Sequence, residues 1–362
     1  MQNGVGIWEA EIAGHVVAAP GGPVSVPDEI ARVLVAPLGG RPIGEIARLR
    51  SADDGVALLE GHHRLRSYGD EQEALHDSLA EPAAPKRRDP AVEHVRAYLA
   101  RQLAEVERTD PILRVTNDAE AVHDLRVAVR RTRAVLRTAR ELLDEKWANR
   151  LRDELRWLAG ELGRARDLDV LIAGLRADAD ELGADAAPIV KRLKRERRTA
   201  RRRVGATLET PRYASLLEDL RSAVDHPPVR EGDVAFDRLA ARSFDSLERE
   251  IRRFRATGTD DALHRVRIKA KRARYAAELA EPVAGKRATK FIKAAKRFQD
   301  VVGAHQDAVV AEQRIRAFAE SADAAFGAGR LVERQHVRRA AARAGLPRTW
   351  RRLRRRGRKA WR

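Results

Sequence analysis

His123, Arg126, Arg130, Arg133, Arg137 and Arg140 recur at spacings of three, four, three, four and three within AVHDLRVAVRRTRAVLRTARELL, residues 121 to 143. At 100° per residue they form one stripe of a helix. Arginine offers a planar fork of donors matched to phosphate oxygens and keeps its charge, whereas histidine donates through one ring nitrogen when neutral and both when protonated. The chemistry such a stripe can do is oxyanion binding. One basic helix alone would be read as a solvated face. The pattern returns, however, in ALHRVRIKAKRARYAAE, residues 262 to 278, where His264, Arg267, Lys271 and Arg274 take the places of His123, Arg126, Arg130 and Arg133. Solubility does not require the same histidine twice.

The elements that must position these cations are equally regular. Leu125, Val129, Leu136, Ala139 and Leu143 form a buried stripe beside the cations, and Val266, Ala270 and Ala273 do the same in the second copy. After each copy comes a further match: LAGELGRARDLDVL answers FQDVVGAHQDAVVA, pairing Gly163 with Gly303 and Asp167 with Asp307. The histidines are 141 residues apart and the glycines 140, so one helical unit occurs twice. Two facing bundles about a pseudo-twofold axis are expected. Cations converging from both halves cannot fill a dry core, so water or a polyanion must occupy the space between them. Both histidines are expected near the first turn of their helices, adding free N–H groups and the positive helix end to the site.

Lys290, Lys293 and Arg297 continue a second basic stripe from Lys286, on a helix whose other face carries Phe291, Ala295, Phe298 and Val302. Asp167 and Asp307 are assigned structural roles, capping the next helix or pairing with a basic neighbour. No HExxH, EF-hand, GxxxxGK(S/T) or GxSxG motif occurs, so no metal, cofactor or catalytic group is expected. His62 and His63 are adjacent and would point to opposite sides of a strand, a poor metal pair.

The 362 residues carry a net charge of +18, placed unevenly: residues 1–88 hold 9 basic and 13 acidic side chains, leaving 63 against 41 for the remainder. A polyanion partner therefore belongs to the second part. Aromatic residues are 4 % of the chain, too few for stacking platforms, so a partner without bases fits better than single-stranded nucleic acid. The absence of cysteine excludes thiolate chemistry and fits a reducing compartment. With no signal-like start and no long apolar run, a cytoplasmic protein without membrane contact is expected.

The expected organisation is mainly α: a small α+β segment over 1–80, a linker over 81–90, and a helical domain over 91–362, split at DHPPVREGD into bundles of about 91–224 and 234–362. Helices are predicted from Pro90 to about 108, around His123, near 147–162, after Asp167, and over 191–204 and 211–224. In the second half they fall near 234–256, 260–281, 287–302, 304–320 and 328–361. The closing RTWRRLRRRGRKAWR, nine cations and no acid, is expected to dock in part through Trp350, Leu353 and Trp361.

The doubled pattern HDLRVAVRRTRAVLR with LGRARDLDVL, then LHRVRIKAKRARYAAE with VGAHQDAVV, resembles the CHAD family, the conserved-histidine α-helical domain, over about residues 90 to 362. The resemblance implies two pseudo-twofold-related helical bundles around a basic central channel and non-catalytic binding of inorganic polyphosphate, with association to polyphosphate granules as one consequence. It carries the motif roles onto His123, Arg126, Arg130, Arg133, His264, Arg267, Lys271 and Arg274. Binding that uses the histidines should tighten as pH falls through the imidazole range. WEAEIAG and LGGRPIGEIARLRS look like fragments of a CYTH, or triphosphate tunnel, domain, but Ala13 stands where its opening ExExK motif needs lysine and about 80 residues cannot close an eight-stranded barrel. A degenerate remnant without triphosphatase activity is expected there. Nonspecific nucleic-acid binding through the basic helices and tail is the alternative, separable by competition between polyphosphate and duplex DNA.

Overall fold

The computed structural model describes residues 85–116, 118–230, 234–319 and 322–362, together with four strands near the start of the chain. Strand β1 (Gly6–Ile12) pairs antiparallel with β2 (His15–Gly21), and β3 (Arg48–Ser51) with β4 (Ala57–Glu60). The rest of the expected α+β segment, including His62 and His63, and the first part of the linker lie outside the described residues.

Mainly helical architecture follows, in nine helices among the described residues. They are α1 (Ala91–Val115), α2 (Ala119–Thr138), α3 (Glu145–Leu182), α4 (Ala187–Leu208) and α5 (Pro211–Asp225), then α6 (Phe236–Thr257), α7 (Asp260–Ala284), α8 (Lys286–Arg316) and α9 (Ala322–Trp361). Local chemistry sets several ends. The Asp118 side chain accepts from Glu120 N at 2.9 Å to start α2, and Thr259 accepts from Ala262 N at 3.2 Å to start α7. Gly258, at φ 65°, ends α6 in the left-handed region that disfavours a Cβ.

Three expected boundaries are wrong. α1 runs past 108 through Pro111, because Thr109 bonds back to the Glu105 carbonyl and Asp110 is buried in an ion pair with Arg114 at 2.8 Å. The breaks expected near 163–167 and at 303 are absent. Gly163 and Gly303 both lie inside long helices, α3 and α8, whose apolar periodicity continues on either side of them. An isolated glycine costs a helix only about 1 kcal/mol, which a long packed helix absorbs.

The apolar residues collect in three clusters. One is built from α1 to α5 but also takes in Phe236 and Leu239 of α6 and Leu279 of α7. A second joins Phe244, Val266, Phe291, Phe298, Trp350 and Leu353 across α6 to α9. A third packs Leu171 and Leu175 of α3 and Ile189 of α4 against Ile315 of α8 and Leu331 of α9. The two sequence repeats therefore do not each enclose a private core; they interlock. The described part of the 225–233 connection is tied to the turn between α2 and α3, with Asp144 N donating to the Pro228 carbonyl at 2.9 Å and Arg230 N to that of Leu142 at 2.8 Å.

α9 docks along its length. Trp350 and Leu353 are buried, Trp350 lies 5.8 Å from the Phe298 ring, and Trp361 meets Phe291 edge-on at 5.6 Å. Gly357 allows this approach, since a Cβ there would run into the Phe244 ring. No helix among the described residues is long and apolar enough to cross a membrane.

Candidate polyanion site

α2 and α7 carry the two cationic stripes, and they are held in place by the apolar stripes beside them. Leu125, Val129 and Leu136 are fully buried, as are Val266, Ala270 and Ala273. The two helices hold their histidines in the same register: His123 is the fifth residue of α2 and His264 the fifth of α7. Both rings thus stand at the end of the first turn, as the spacing predicted, and Asp118 and Thr259 each take up one N–H of the helix end.

Arg130 donates from Nε to the Tyr275 hydroxyl at 2.7 Å, which joins the two motif helices directly. Around that bridge the cations act on one another. Arg126 is held below its usual guanidinium value by burial first; Asp167 opposes that shift, and Arg130, Arg267 and Arg166 add repulsion to it. Arg267 is lowered in the same way, by burial, with Asp307 opposing and Arg130 repelling. Lys271 is pushed down to about 7, first by burial and then by Arg267, Arg130, Arg126 and Arg274. Equivalent residues of the two repeats thus share one electrostatic environment, crowded with positive charge.

Two carboxylates enter it. Asp167 lies 3.3 Å from Arg126 Nη2. Asp307 has its carboxyl raised by burial, with Arg267 and Lys271 opposing and Asp167 adding to the rise. Asp167 therefore sits mid-helix, pairing with a basic neighbour, and does not cap a helix. The glycines differ between repeats: a Cβ on Gly163 would stand 2.5 Å from Arg126 Nη1, whereas Gly303 has open space.

The residue before each aspartate faces the motif histidine, a relation the sequence reading missed. Gln306 Oε1 lies 2.8 Å from His264 Nδ1, and Arg166 is the leading charge on His123, whose imidazole is lowered by burial first. The signal was available, since Arg166 and Gln306 occupy one repeat position next to the paired aspartates. His123 also groups with Glu120 and Asp124, their ligand atoms all within 4.8 Å of one another, so these three could hold a divalent ion. Motif searching overlooked the set because it is a bare one-turn spacing. Asp124 also accepts from Arg108 at 2.9 Å.

The remaining predicted cations divide into groups. Arg274 packs over the Tyr275 ring at 4.8 Å and stands 3.6 Å from Glu278. Arg133 and Arg137, both lowered by burial first, feel Arg152, with Arg156 also acting on Arg133 and Arg272 on Arg137. The buried Nε atoms of Arg133 and Arg274 make no hydrogen bond among the described residues. Lys290, Lys293 and Arg297 are exposed on α8, and Arg297 is the leading charge on Arg352 of α9. None of these three is among the leading charges on Lys271 or Arg126.

A family model described as CHAD domain matches residues 97–316. Two relatives from Mycobacterium tuberculosis, the uncharacterized proteins MT2285 and Rv2226, are each 30% identical over 249 residues, covering 64% of this chain and 46% of theirs. The chain thus spans less than half the length of these curated relatives. Among solved structures, the CHAD domain from the plant Ricinus communis superposes with a TM-score of 0.63 at 25% identity, covering 76% of this chain and 95% of that one. PptA from Streptomyces chartreusis shares the fold at a TM-score of 0.61 and 22% identity, over 73% of this chain and 100% of that one.

Proposed function

Because the chain belongs to the CHAD family, whose model matches residues 97–316, we propose that it binds inorganic polyphosphate, without catalysis, in a trough between α2 and α7. The observation that carries this reading is the environment of Lys271, an amine pressed down to about 7 by burial and four surrounding guanidinium groups. Such a cluster stores repulsion that a multivalent anion releases on entry. Polyphosphate brings repeated negative charge and no base edge, so charge spacing and trough width do the recognising.

The trough is lined by His123, Arg126, Arg130, His264, Arg267, Lys271 and Arg274. Arg133 and Arg137 extend it along α2, and Lys290, Lys293 and Arg297 form an outer approach on α8. The pseudo-twofold arrangement of two bundles, about 91–224 and 234–362, and recruitment to polyphosphate granules belong to the same proposal. So does a degenerate tunnel-domain origin for residues 1–80, for which the support is the pair of sequence fragments quoted above.

A second reading, docking of nucleic acid, is favoured by one observation. Arg352 is exposed and lowered by the repulsion of Arg297, Arg356, Arg355 and Arg348, with no carboxylate among its leading charges. Titration with polyphosphates of defined length at two salt concentrations, against duplex DNA, separates the two. Polyphosphate should displace DNA and resist displacement by it; easy displacement by DNA refutes the trough reading.

A further inference from the structure

Lys290, Lys293 and Arg297 form one row of a wider basic surface. α8 and α9 pack antiparallel, fixed by Arg343 on His305 at 3.1 Å, Trp350 on Phe298 at 5.8 Å and Trp361 on Phe291 at 5.6 Å. In that register Arg352 falls beside Arg297, Arg356 beside Lys293 and Lys359 near Lys290. Each row advances by three and four residues, in steps of about one 5.4 Å turn, and helices in contact stand about 8–10 Å apart. The result is a ribbon of two parallel lines of cations.

No carboxylate meets this ribbon among the described residues. α9 sorts its last cations: Arg354, Arg358 and Arg362 turn to Glu248 on the side of α6, whereas Arg352, Arg356 and Lys359, on the side of α8, have no ion pair among the described residues. The sequence holds no acid from Pro282 to Gln299 and none after Glu333.

Helix stability does not account for this arrangement. α8 opens on Lys286 and Arg287 with no acid in its first turn, at the end where the helix dipole is positive and cations are unfavourable.

Shape then selects among polyanions. Every exposed position over 286–297 and 348–359 is polar or charged, and Trp350 and Trp361 pack on phenylalanines of α8. Nothing there enters a lipid interface or stacks on an unpaired base. Two lines of cations, one helix width apart, complement a ligand with two lines of phosphates, such as the strands bordering a duplex groove about 6 or 12 Å wide.

We propose that the ribbon of α8 and α9 docks double-stranded nucleic acid through its phosphate backbones, without reading sequence. Docking there rests on the nucleic-acid reading given above, supplies its place and form, and needs no occupant in the trough.

Anisotropy titration of the full chain with a labelled DNA duplex, at several salt concentrations, tests it. Six phosphate contacts correspond to a log–log salt slope of about −5, so affinity should fall about a thousandfold between about 50 and 200 mM salt. Lys293→Gln with Arg352→Gln, both exposed, should reduce the slope by about 2 for every duplex sequence while helical circular dichroism is kept. Arg126→Ala with Arg267→Ala should leave the slope as in the parent protein. A ribbon variant with the parent slope, or tighter binding to a single strand or to phosphatidylglycerol vesicles, would overturn the assignment. If the trough variant alone flattens the slope, nucleic-acid docking stands and the ribbon falls; if no duplex binds, both fall together.

Discussion

Arg130 and Tyr275 come from different repeats, and the 2.7 Å hydrogen bond between them has no counterpart by symmetry. Eleven residues after His264 stands Tyr275; eleven after His123 stands Ala134. Arg130 therefore has a hydroxyl to hold it, while Lys271, at the same repeat position, has none. Tyr275→Phe should destabilise the fold by about 1 kcal/mol, since a half-buried charged donor loses its acceptor. Urea unfolding with an unchanged m-value is the check, and a loss below a few tenths would show that Arg130 finds another partner.

Lys271 should set the pH dependence of polyphosphate binding. Its amine is pushed down to about 7, so in the empty protein it loses its proton as pH rises through neutrality, while a bound anion favours the charged form. Affinity should therefore increase as pH falls through about 7. Lys271→Met should remove the part of that dependence that lies above about pH 7. The expected imidazole dependence moves lower, because burial and Arg166 hold His123 below its usual value. Stability follows the opposite direction. The amine titrates near 10.5 when unfolded, so folding gains from about pH 7 upward toward 10.5 and has lost that gain below about 7.

Gly163→Ala and Gly303→Ala should behave differently despite their matched positions. The first places a methyl 2.5 Å from Arg126 Nη1 and pushes that guanidinium off its Asp167 partner. Retained helicity with polyphosphate affinity several-fold lower is expected. The second has open space and should leave affinity unchanged while raising stability by about 0.5–1 kcal/mol. Identical affinities for the two variants would remove Arg126 from the site.

Much of this was legible from spacing alone. The motif register, the buried stripes and the likeness between repeats are one-dimensional patterns that a helix converts directly into faces. Other features were not. The continuity of α3 and α8 through Gly163 and Gly303 depends on packing gained on both sides of each glycine, which local propensity does not report. The sharing of core between repeats, with Phe236 and Leu279 joining the first cluster, is a tertiary fact with no sequence period. That Phe298 of α8 meets Trp350 of α9 is likewise a tertiary contact that no spacing within α8 reports.

Trp350→Ala should cost about 3–5 kcal/mol, the range for emptying a large buried aromatic site. Thermal unfolding, with polyphosphate affinity of the surviving folded fraction measured alongside, would show whether α9 is a structural strap or a necessary wall of the trough. The former predicts an intact affinity.

Glu248 is nearly buried and receives three guanidinium groups from the final helix, those of Arg354, Arg358 and Arg362. Asp245 also pairs with Arg362, at 2.7 Å, but two carboxylates cannot neutralise three cations, so the last turns of this helix are held down by its tryptophans against their own charge. Added electrolyte should consequently act on the empty protein as a counterweight, raising its melting temperature. The same electrolyte loosens any phosphate polymer by competing for the cations. A protein built this way is at its most fragile in the dilute buffers where its grip is strongest.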